Sequence, residues 1–373
     1  MKILITGGAG FIGSHLADRL IEKGYDVRIF DNLEPQVHGS KMPAYLNPGV
    51  EFILGDVRDK DQFHKALENI DFVFHFAAET GVGQSMYQIS KYFEANVQGT
   101  ANLLDLLANT THKVQKIVLS SSRAVYGEGA YRCNQCGIVF PETRPIDQLK
   151  RKLWDVQCPN CRSSLSPITT SEKKPPLPGS VYAITKLTQE MMLTNFDLTY
   201  SLPTVILRFF NVFGPRQSLN NPYTGIITAF LNCLLSGQAP EVYENGLMTR
   251  DFVYVGDVVN ACALAMVTER ANHKVINIGT GEPTSILELA NTMCGLFSGK
   301  IQPNIVEKAR VGDIAHCIAD TSVARELLGD EPSTPLLTGL REVIKSVLAD
   351  KFTNGSLSSQ AEGELRAAGL LIS

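Results

Sequence analysis

The chain has 373 residues, of which 44% are hydrophobic and 19% charged, and this length suits one large domain or two smaller ones. A formal net charge of −4 excludes a broadly basic surface for nucleic acid or anionic lipid, and no apolar run approaches the roughly 20 residues that span a bilayer. The stretch Met1–Thr6 before the first glycine is too short for a signal peptide, so we expect a cytoplasmic protein.

Residues 1–120 alternate short apolar runs with amphipathic stretches. The runs rich in Ile, Val and Phe are predicted to be buried strands, namely Lys2–Thr6, Asp26–Phe30, Glu51–Leu54, Phe72–Phe76 and Lys116–Ser120. Helix-spaced apolar residues occupy Ser14–Lys23, Lys60–Glu68 and Phe93–Ala108. This alternation predicts an α/β fold with a doubly wound parallel (Rossmann) sheet, covered by helices on both faces.

The rest of the chain interrupts this rhythm. Residues 129–172 contain four cysteines and the only tryptophan, and further strands are predicted over Val205–Phe210 and Val275–Ile278, with helices over Ile226–Leu235 and Ser285–Leu296. We therefore expect four parts: a sheet domain over 1–128, 173–212 and about 253–281, an inserted segment over 129–172, a smaller domain over 213–252 and 282–349, and a loosely held polar tail over 350–373.

A glycine-rich turn follows directly on the first strand and begins a helix. Gly7 permits the tight turn, Gly10 lets a pyrophosphate approach the backbone, and Gly13 allows the helix to pack closely on the strand. The helix N-terminus points its N–H groups at the phosphates, so Phe11 and Ile12 are also expected at the cofactor. The stretch predicts a dinucleotide-binding site.

Acidic residues at the ends of the second and third strands extend this site. Asp31 can accept hydrogen bonds from both ribose hydroxyls of adenosine, and its charge repels a 2′-phosphate, which favours NAD over NADP. Asn32 lies beside it, and the pair Asp56 and Val57 is placed to meet the adenine. Asp56 could instead be the N-cap of the following helix.

Tyr182 and Lys186 are four residues apart and share one face of a predicted helix. A tyrosine with a pKa of about 10 is a poor base at neutral pH, so a nearby ammonium and a positive nicotinamide must lower that pKa. Ser122, at the end of a strand, can share the proton of a substrate hydroxyl. Tyrosine and lysine at this spacing can also form an ordinary helix surface pair.

Together these motifs resemble the extended short-chain dehydrogenase/reductases that modify nucleotide sugars. The resemblance covers about residues 1–345 outside the inserted segment, and its motifs are Gly7/Gly10/Gly13, Phe76–Ala78, Asn96–Thr100, Ser120–Gly127, Tyr182/Lys186, Arg208–Pro215 and Arg250–Phe252. It implies NAD as cofactor, with further contacts from Phe76, Ala77, Ala78, Asn96 and Ser120. It also implies a homodimer that pairs helices equivalent to Phe93–Ala108 and Tyr182–Thr194.

The resemblance implies that Tyr182 takes the proton of a sugar hydroxyl while the C4 hydride passes to NAD⁺. Dehydratases of this family carry Asp-Glu in place of Arg123-Ala124, decarboxylases carry Glu at the second position, and enzymes that epimerise beside the ketone carry Cys there. Ala124 can transfer no proton, so we expect C4 epimerisation of a nucleotide-diphosphate sugar. An NDP-sugar 4,6-dehydratase or decarboxylase is the runner-up, and an NAD sensor without turnover is a third alternative.

The substrate-binding residues are implied by the same resemblance. Asn211, Arg250 and Arg310 match positions that hold the nucleotide diphosphate, and Asp313 matches one near the nucleotide ribose. Each arginine could instead form a surface ion pair. The candidates for contact with the sugar are Thr80, Gln84, Ser122 and Arg123.

Finer features make the chain most similar to the dTDP-L-rhamnose 4-epimerases, with UDP-glucose and UDP-glucuronate 4-epimerases as alternatives. They are the cysteine pairs, the stretch Gln84–Tyr87, residues 221–225 and a Glu364–Arg366 tail.

Two CxxC pairs, Cys133/Cys136 and Cys158/Cys161, are separated by 21 residues, close to zinc-ribbon spacing. Four thiolates satisfy tetrahedral Zn²⁺ and leave no open coordination position, so the sequence predicts a structural zinc. Free thiols or an iron centre are the alternatives. We expect the inserted segment to lie outside the main sheet, near the mouth of the active site.

Overall fold

The computed structural model describes residues 1–39, 41–219, 221, 225–297, 300–310 and 312–353. The predicted tail over 350–373 lies outside this range beyond Thr353, as do residues 222–224 and Glu364–Arg366. The last helix, Leu336–Thr353, continues past Asp350, where the polar tail is predicted to begin.

The strands described run from the N-terminus to the last quarter of the chain. They are β1 (Lys2–Thr6), β2 (Asp26–Asp31), β3 (Glu51–Leu54), β4 (Phe72–His75), β5 (Lys116–Ser122), β6 (Ala130–Cys133), β7 (Gly137–Val139), β8 (Ser166–Thr170), β9 (Thr204–Phe209), β10 (Asn211–Phe213), β11 (Glu241–Val242), β12 (Thr249–Arg250), β13 (Phe252–Tyr254), β14 (Lys274–Ile278), β15 (Thr284–Ser285), β16 (Asn304–Ile305) and β17 (His316–Ala319).

The α-helices are distributed between these strands. They are α1 (Phe11–Glu22), α2 (Pro35–His38), α3 (Lys60–Leu67), α4 (Val82–Ser85), α5 (Ile89–Tyr92), α6 (Gly99–Asn109), α7 (Ile146–Lys150), α8 (Val181–Tyr200), α9 (Ile226–Leu235), α10 (Val255–Val267), α11 (Ile286–Leu296), α12 (Ser322–Leu328) and α13 (Leu336–Thr353). Among the described helices, none is both long and apolar enough to cross a membrane.

The main sheet has the parallel order β14-β9-β5-β4-β1-β2-β3 within the described residues. This order confirms the predicted doubly wound sheet. Helices cover both of its faces, and the fully buried Ile3, Ile5 and Val205 belong to the core between sheet and helices. Strand order reverses between β1 and β4, and the crevice at their carboxyl ends is where such folds bind ligands.

A second sheet joins the inserted segment to the C-terminal part of the chain. Its order is β15-β12-β17-β8-β6-β7 within the described residues, and β6, β7 and β8 all come from residues 129–172. Strand β8 runs parallel to β17, with Thr169 opposite Ile318. The inserted segment therefore lies outside the main sheet, but its strands share a second sheet with β12, β15 and β17, so it is more than a loop closed by metal.

The helix predicted over Phe93–Ala108 differs from expectation. A π-helical turn over Phe93–Gln98 leads into α6 at Gly99. The spacing of apolar residues does not distinguish a π-helical turn from an α-helix, because both direct one face to the core. Such π turns occur frequently at functional sites, and this one contains Asn96.

Candidate active site

A cavity of about 390 Å³ lies along the carboxyl ends of the main-sheet strands, at the point where strand order reverses. Its wall brings together fifteen of the sixteen residues expected at the cofactor: Gly7, Gly10, Phe11, Ile12, Gly13, Asp31, Asn32, Asp56, Val57, Phe76, Ala77, Ala78, Ser120, Tyr182 and Lys186.

The glycines of the first turn are required by their surroundings. Gly7 has φ +67°, and a Cβ there would lie 2.8 Å from the Cα of Ala77. A Cβ on Gly13 would lie 2.5 Å from the carbonyl oxygen of Gly7. This close packing leaves backbone N–H groups facing the cavity, which fits the diphosphate of a dinucleotide.

The two acidic residues have different surroundings. The Asp31 carboxylate accepts hydrogen bonds from the backbone N–H of Ala9 (3.0 Å) and Leu33 (2.9 Å), and burial raises its pKa. Asp56 is bonded by the Arg58 side chain, with Nε at 2.9 Å. Although burial raises the pKa of Asp56, these bonds bring it down to about 2. Asp56 is not a helix cap, since Asp59 caps α3.

Tyr182 and Ser122 both line the cavity. Burial raises the pKa of Tyr182, while a hydrogen bond with Ser122 and the charge of Arg123 lower it. Ser122 also caps a 3-10 turn, since its Oγ accepts the N–H of Ala124 at 3.1 Å. Ser122 is therefore fixed at the strand end beside the Tyr182 phenol.

Lys186 is placed differently from what its spacing suggested. Its Nζ donates to the carbonyl oxygen of Ser120 at 2.8 Å, and burial lowers its pKa to about 7 against the opposing charge of Glu190. The spacing predicted an ammonium near the Tyr182 phenol, and the charge of Arg123 also lowers the pKa of that phenol.

A buried ion pair behind these residues was missed by the sequence reasoning. Arg208 donates to Glu190 through Nε (2.9 Å) and Nη2 (2.6 Å), and both side chains are 5% exposed. The Ser121 hydroxyl also donates to Glu190. Glu190 follows Lys186 by four residues on α8, so continuing the Tyr182 spacing by one more step would have found it.

Asn96 is the expected cofactor residue that does not line the cavity. It is fully buried, accepts the N–H of Glu79 at 2.8 Å, and donates to the Glu79 carbonyl and the Thr185 hydroxyl. It thereby holds the loop after β4 against α8, one layer behind the cavity wall.

Three of the four candidates for contact with the sugar line the cavity, and Arg123 is the exception. Thr80, Gln84 and Ser122 line the cavity. The Gln84 amide donates to Gln36 at 2.9 Å, and Gln36 donates to Asn221 at 3.0 Å across the cavity mouth. Gln36 was not predicted, because its only signal is its position on the short helix α2.

The candidates for the diphosphate lie beyond that wall. Arg250 is 6% exposed and paired with Asp313 at 2.9 Å, so it is not a surface ion pair. Asn211 has a buried Oδ1 without a hydrogen-bond partner. Arg310 is exposed and lies over the Tyr243 ring, 4.9 Å from its centre.

The four predicted metal ligands come together. The sulfur atoms of Cys133, Cys136, Cys158 and Cys161 all lie within 4.8 Å of one another. The sulfurs of Cys133 and Cys161 are 3.5 Å apart, and the Ser163 hydroxyl lies 3.0 Å from the second of them. An all-thiolate set with these separations fits a tetrahedral ion.

A doubly wound sheet with a glycine turn, and with a buried Tyr-Lys pair at its cavity, defines a dinucleotide-dependent enzyme of the α/β class. The chain belongs to the NAD-dependent epimerase/dehydratase family, whose model matches residues 3–145 and 160–279. The gap between the two matched ranges falls inside the inserted segment.

Proteins similar to this chain include several nucleotide-sugar epimerases. The chain is 37% identical to a dTDP-L-rhamnose 4-epimerase of Burkholderia thailandensis, over 92% of this chain and 93% of that one. It is 34% identical to a putative UDP-glucose 4-epimerase of Methanocaldococcus jannaschii, over 92% and 97%. The solved UDP-glucose 4-epimerase of Thermotoga maritima superimposes with a TM-score of 0.78 at 31% identity, covering 94% of this chain and 99% of that one.

Proposed function

We propose that this chain catalyses NAD-dependent C4 epimerisation of a nucleotide-diphosphate sugar through a transient 4-keto sugar. The observation that carries the proposal is that Tyr182 and Ser122 line the same cavity as the glycine turn, with Ala124 in the 3-10 turn that Ser122 caps. Family membership and the named relatives support the same reaction.

The cofactor residues have distinct tasks. The glycine turn and the start of α1 hold the diphosphate, Asp31 takes the adenosine ribose, and Asp56 with Val57 borders the adenine. Bound in this cavity, NAD would supply the hydride acceptor and donor for the sugar's C4. Lys186, whose Nζ donates to the Ser120 carbonyl, would help to hold the ribose of the nicotinamide.

The proton is handled by the chain's own groups. Tyr182 as phenolate accepts the proton of the sugar's C4 hydroxyl, and Ser122 holds that hydroxyl by sharing a hydrogen bond with both. The charge of Arg123 favours the phenolate. The returning step reverses this path after the keto sugar has turned over, so Tyr182 then gives the proton back.

Ala124 argues against the runner-up chemistries. Loss of water or carbon dioxide from the keto sugar needs an acid or base beside the ring, and a methyl group supplies neither. One relative, 32% identical to this chain, is a UDP-N-acetyl-α-D-glucosaminuronate decarboxylase. Product analysis must therefore distinguish epimerisation from decarboxylation.

We propose dTDP-L-rhamnose as the sugar nucleotide, with UDP-glucose and UDP-glucuronate as alternatives. The support is the 37% identity to the Burkholderia thailandensis enzyme and the shared sequence features. Two solved relatives support the alternatives, one in complex with UDP-glucose and the other in complex with UDP-glucuronic acid and NAD.

A panel of nucleotide sugars incubated with the purified protein tests the proposal, with mass spectrometry of the products. Epimerisation predicts a product of unchanged mass from at least one of the three nucleotide sugars. Loss of the mass of water or carbon dioxide from every substrate that reacts would replace the proposal with the runner-up.

We also propose a structural Zn²⁺ on the four cysteines, since they would leave it no open position. It would fix the turns that end β6 and begin β7. Metal analysis should find about one zinc per chain. A metal-free protein with full activity and unchanged stability would contradict this.

A homodimer is proposed from the exposed face of α8. Ile184, Met191 and Leu198 are 41%, 65% and 80% exposed, and their seven-residue spacing places them on one face. Light scattering should give twice the chain mass, and Met191→Glu should reduce it to the mass of one chain. A wild-type protein with the mass of one chain would contradict the proposal.

A further inference from the structure

The position of Arg250 is set by a short backbone segment, residues 313–316. Its Nη groups donate to the carbonyl oxygens of Ile314 (2.9 Å) and Ala315 (3.1 Å) and to the carboxylate of Asp313 (2.9 Å). Whatever fixes this segment therefore also fixes the guanidinium group.

Glu128 holds the segment from the side of the inserted residues. Its carboxylate is 1% exposed and accepts the N–H groups of Ala315 and His316, both at 2.8 Å. It also accepts the Tyr131 hydroxyl at 2.7 Å. A buried carboxylate is tolerated where such donors replace water, so this arrangement has little freedom to shift.

Arg144, inside the inserted segment, is a second point of attachment. It forms a buried ion pair with Glu244, in which Nη2 and Oε1 are 3.0 Å apart, and both side chains are at most 2% exposed. Its guanidinium also donates to the backbone oxygens of Trp154 (3.0 Å) and Asp313 (3.4 Å).

The cysteine pairs pack directly behind these contacts. Ala315 belongs to the same buried cluster as Cys133 and Cys158. At the other end, a Cβ on Gly129 would lie 2.5 Å from the carbonyl oxygen of His316, so the two backbones are in close contact. The inserted segment and its first flanking residue thus contact residues 313–316 in three ways. These are hydrogen bonds with charged side chains, closely packed backbones and a shared buried cluster.

We infer that Glu128 and Arg144 are positioning residues for the nucleotide-diphosphate subsite, so that the inserted cysteine segment sets the affinity for the nucleotide sugar. The inference rests on the proposed function and on the family resemblance, which matches Arg250 and Asp313 to positions that bind the nucleotide. Neither positioning residue touches the reacting atoms, so their loss acts on binding and leaves the chemical step intact.

The test compares Glu128→Gln and Arg144→Lys with the wild type. Glu128→Gln replaces one acceptor oxygen with an NH₂ group, which cannot accept a hydrogen bond from a backbone N–H. Arg144→Lys keeps the positive charge but loses the planar guanidinium group that donates several hydrogen bonds at once. Both should weaken binding of UDP and dTDP, measured by calorimetry, roughly tenfold and raise KM similarly. The kcat, the bound NAD and the zinc content should stay as in the wild type.

Lys152→Ala is the matched control, because Lys152 links the inserted segment to Glu307 through an ion pair in which both side chains are 57% exposed. It should leave nucleotide affinity unchanged. Unchanged affinity for both nucleotides in both test variants would overturn the inference, as would a fall in kcat and NAD content without a change in affinity. A wild type that binds neither nucleotide would overturn the proposed function and the inference with it.

Discussion

Among single residues, Tyr182 carries the most chemical weight. Tyr182→Phe removes the hydroxyl group that accepts and returns the proton, so turnover should fall by about 10²- to 10⁴-fold. Bound NAD should be retained, because Tyr182 contributes one contact among many in the cavity wall.

Tyr200→Phe is the control on the same helix, since Tyr200 is 53% exposed at the end of α8. Steady-state rates of the two variants test whether Tyr182 is the base. Full activity of Tyr182→Phe would show that another group is the base.

Arg123 makes a pH-dependent contribution that can be given a sign. Its positive charge lowers the pKa of Tyr182, so Arg123→Met should raise that pKa. Hydride transfer needs the phenolate, and its rate rises as pH passes the Tyr182 pKa. The midpoint of that rise should therefore move to higher pH in the variant.

Absorbance of reduced nicotinamide in single-turnover experiments measures this midpoint. Arg132→Met, at the exposed position of the otherwise buried strand β6, supplies a control that also loses one positive charge. Equal midpoints in Arg123→Met and wild type would mean that Arg123 does not act on the phenol.

The residues found from sequence share a local origin. Gly7, Gly13, Tyr182 and Lys186 are recognised by spacing within one turn or one helix, which the chain itself encodes. Glu128 could not be found that way, because its partners at 315 and 316 are far along the chain. Lys186 was located correctly, but its hydrogen bond to a strand carbonyl depends on how α8 lies on the sheet.

At the scale of elements, the close approach of α1 to β1 depends on Gly13. Gly13→Ala places a methyl group 2.5 Å from a backbone oxygen, which cannot move without shifting the phosphate turn. We expect loss of bound NAD and a free energy of unfolding lower by about 1–3 kcal/mol. Thermal unfolding and cofactor content report the two effects.

Gly295→Ala is the matched substitution, because Gly295 lies in α11 with no atom within 4 Å of an added Cβ. It should keep NAD and gain about 0.5–1 kcal/mol of stability. Equal NAD retention in the two variants would contradict the packing argument at Gly13.

Elements differ in how well the sequence predicts them. Strands β1 and β3 have the bounds that were predicted, and a glycine, Gly7 or Gly55, follows the last residue of each. The π turn before α6 and the strands β6 and β8 were not predicted. Residues 130–133 have little apolar alternation of their own and become a strand by pairing with residues 166–168.

Across the whole molecule, the alternation of strands and helices was sufficient to predict the doubly wound sheet. The second sheet was not predictable, since it joins residues 129–172 to strands at 249–250 and 316–319. The shared sheet brings the inserted segment next to the predicted substrate-binding residues, and the composition of the segment did not predict this.

The central claim is that one hydrogen leaves C4 of the sugar and returns to the same carbon from the opposite side. A nucleotide sugar deuterated at C4 tests this directly, with the product examined by NMR and mass spectrometry. The account predicts a C4-inverted product that retains deuterium at C4, without exchange with added NAD. Deuterium lost to solvent, or a product with unchanged configuration at C4, would contradict it.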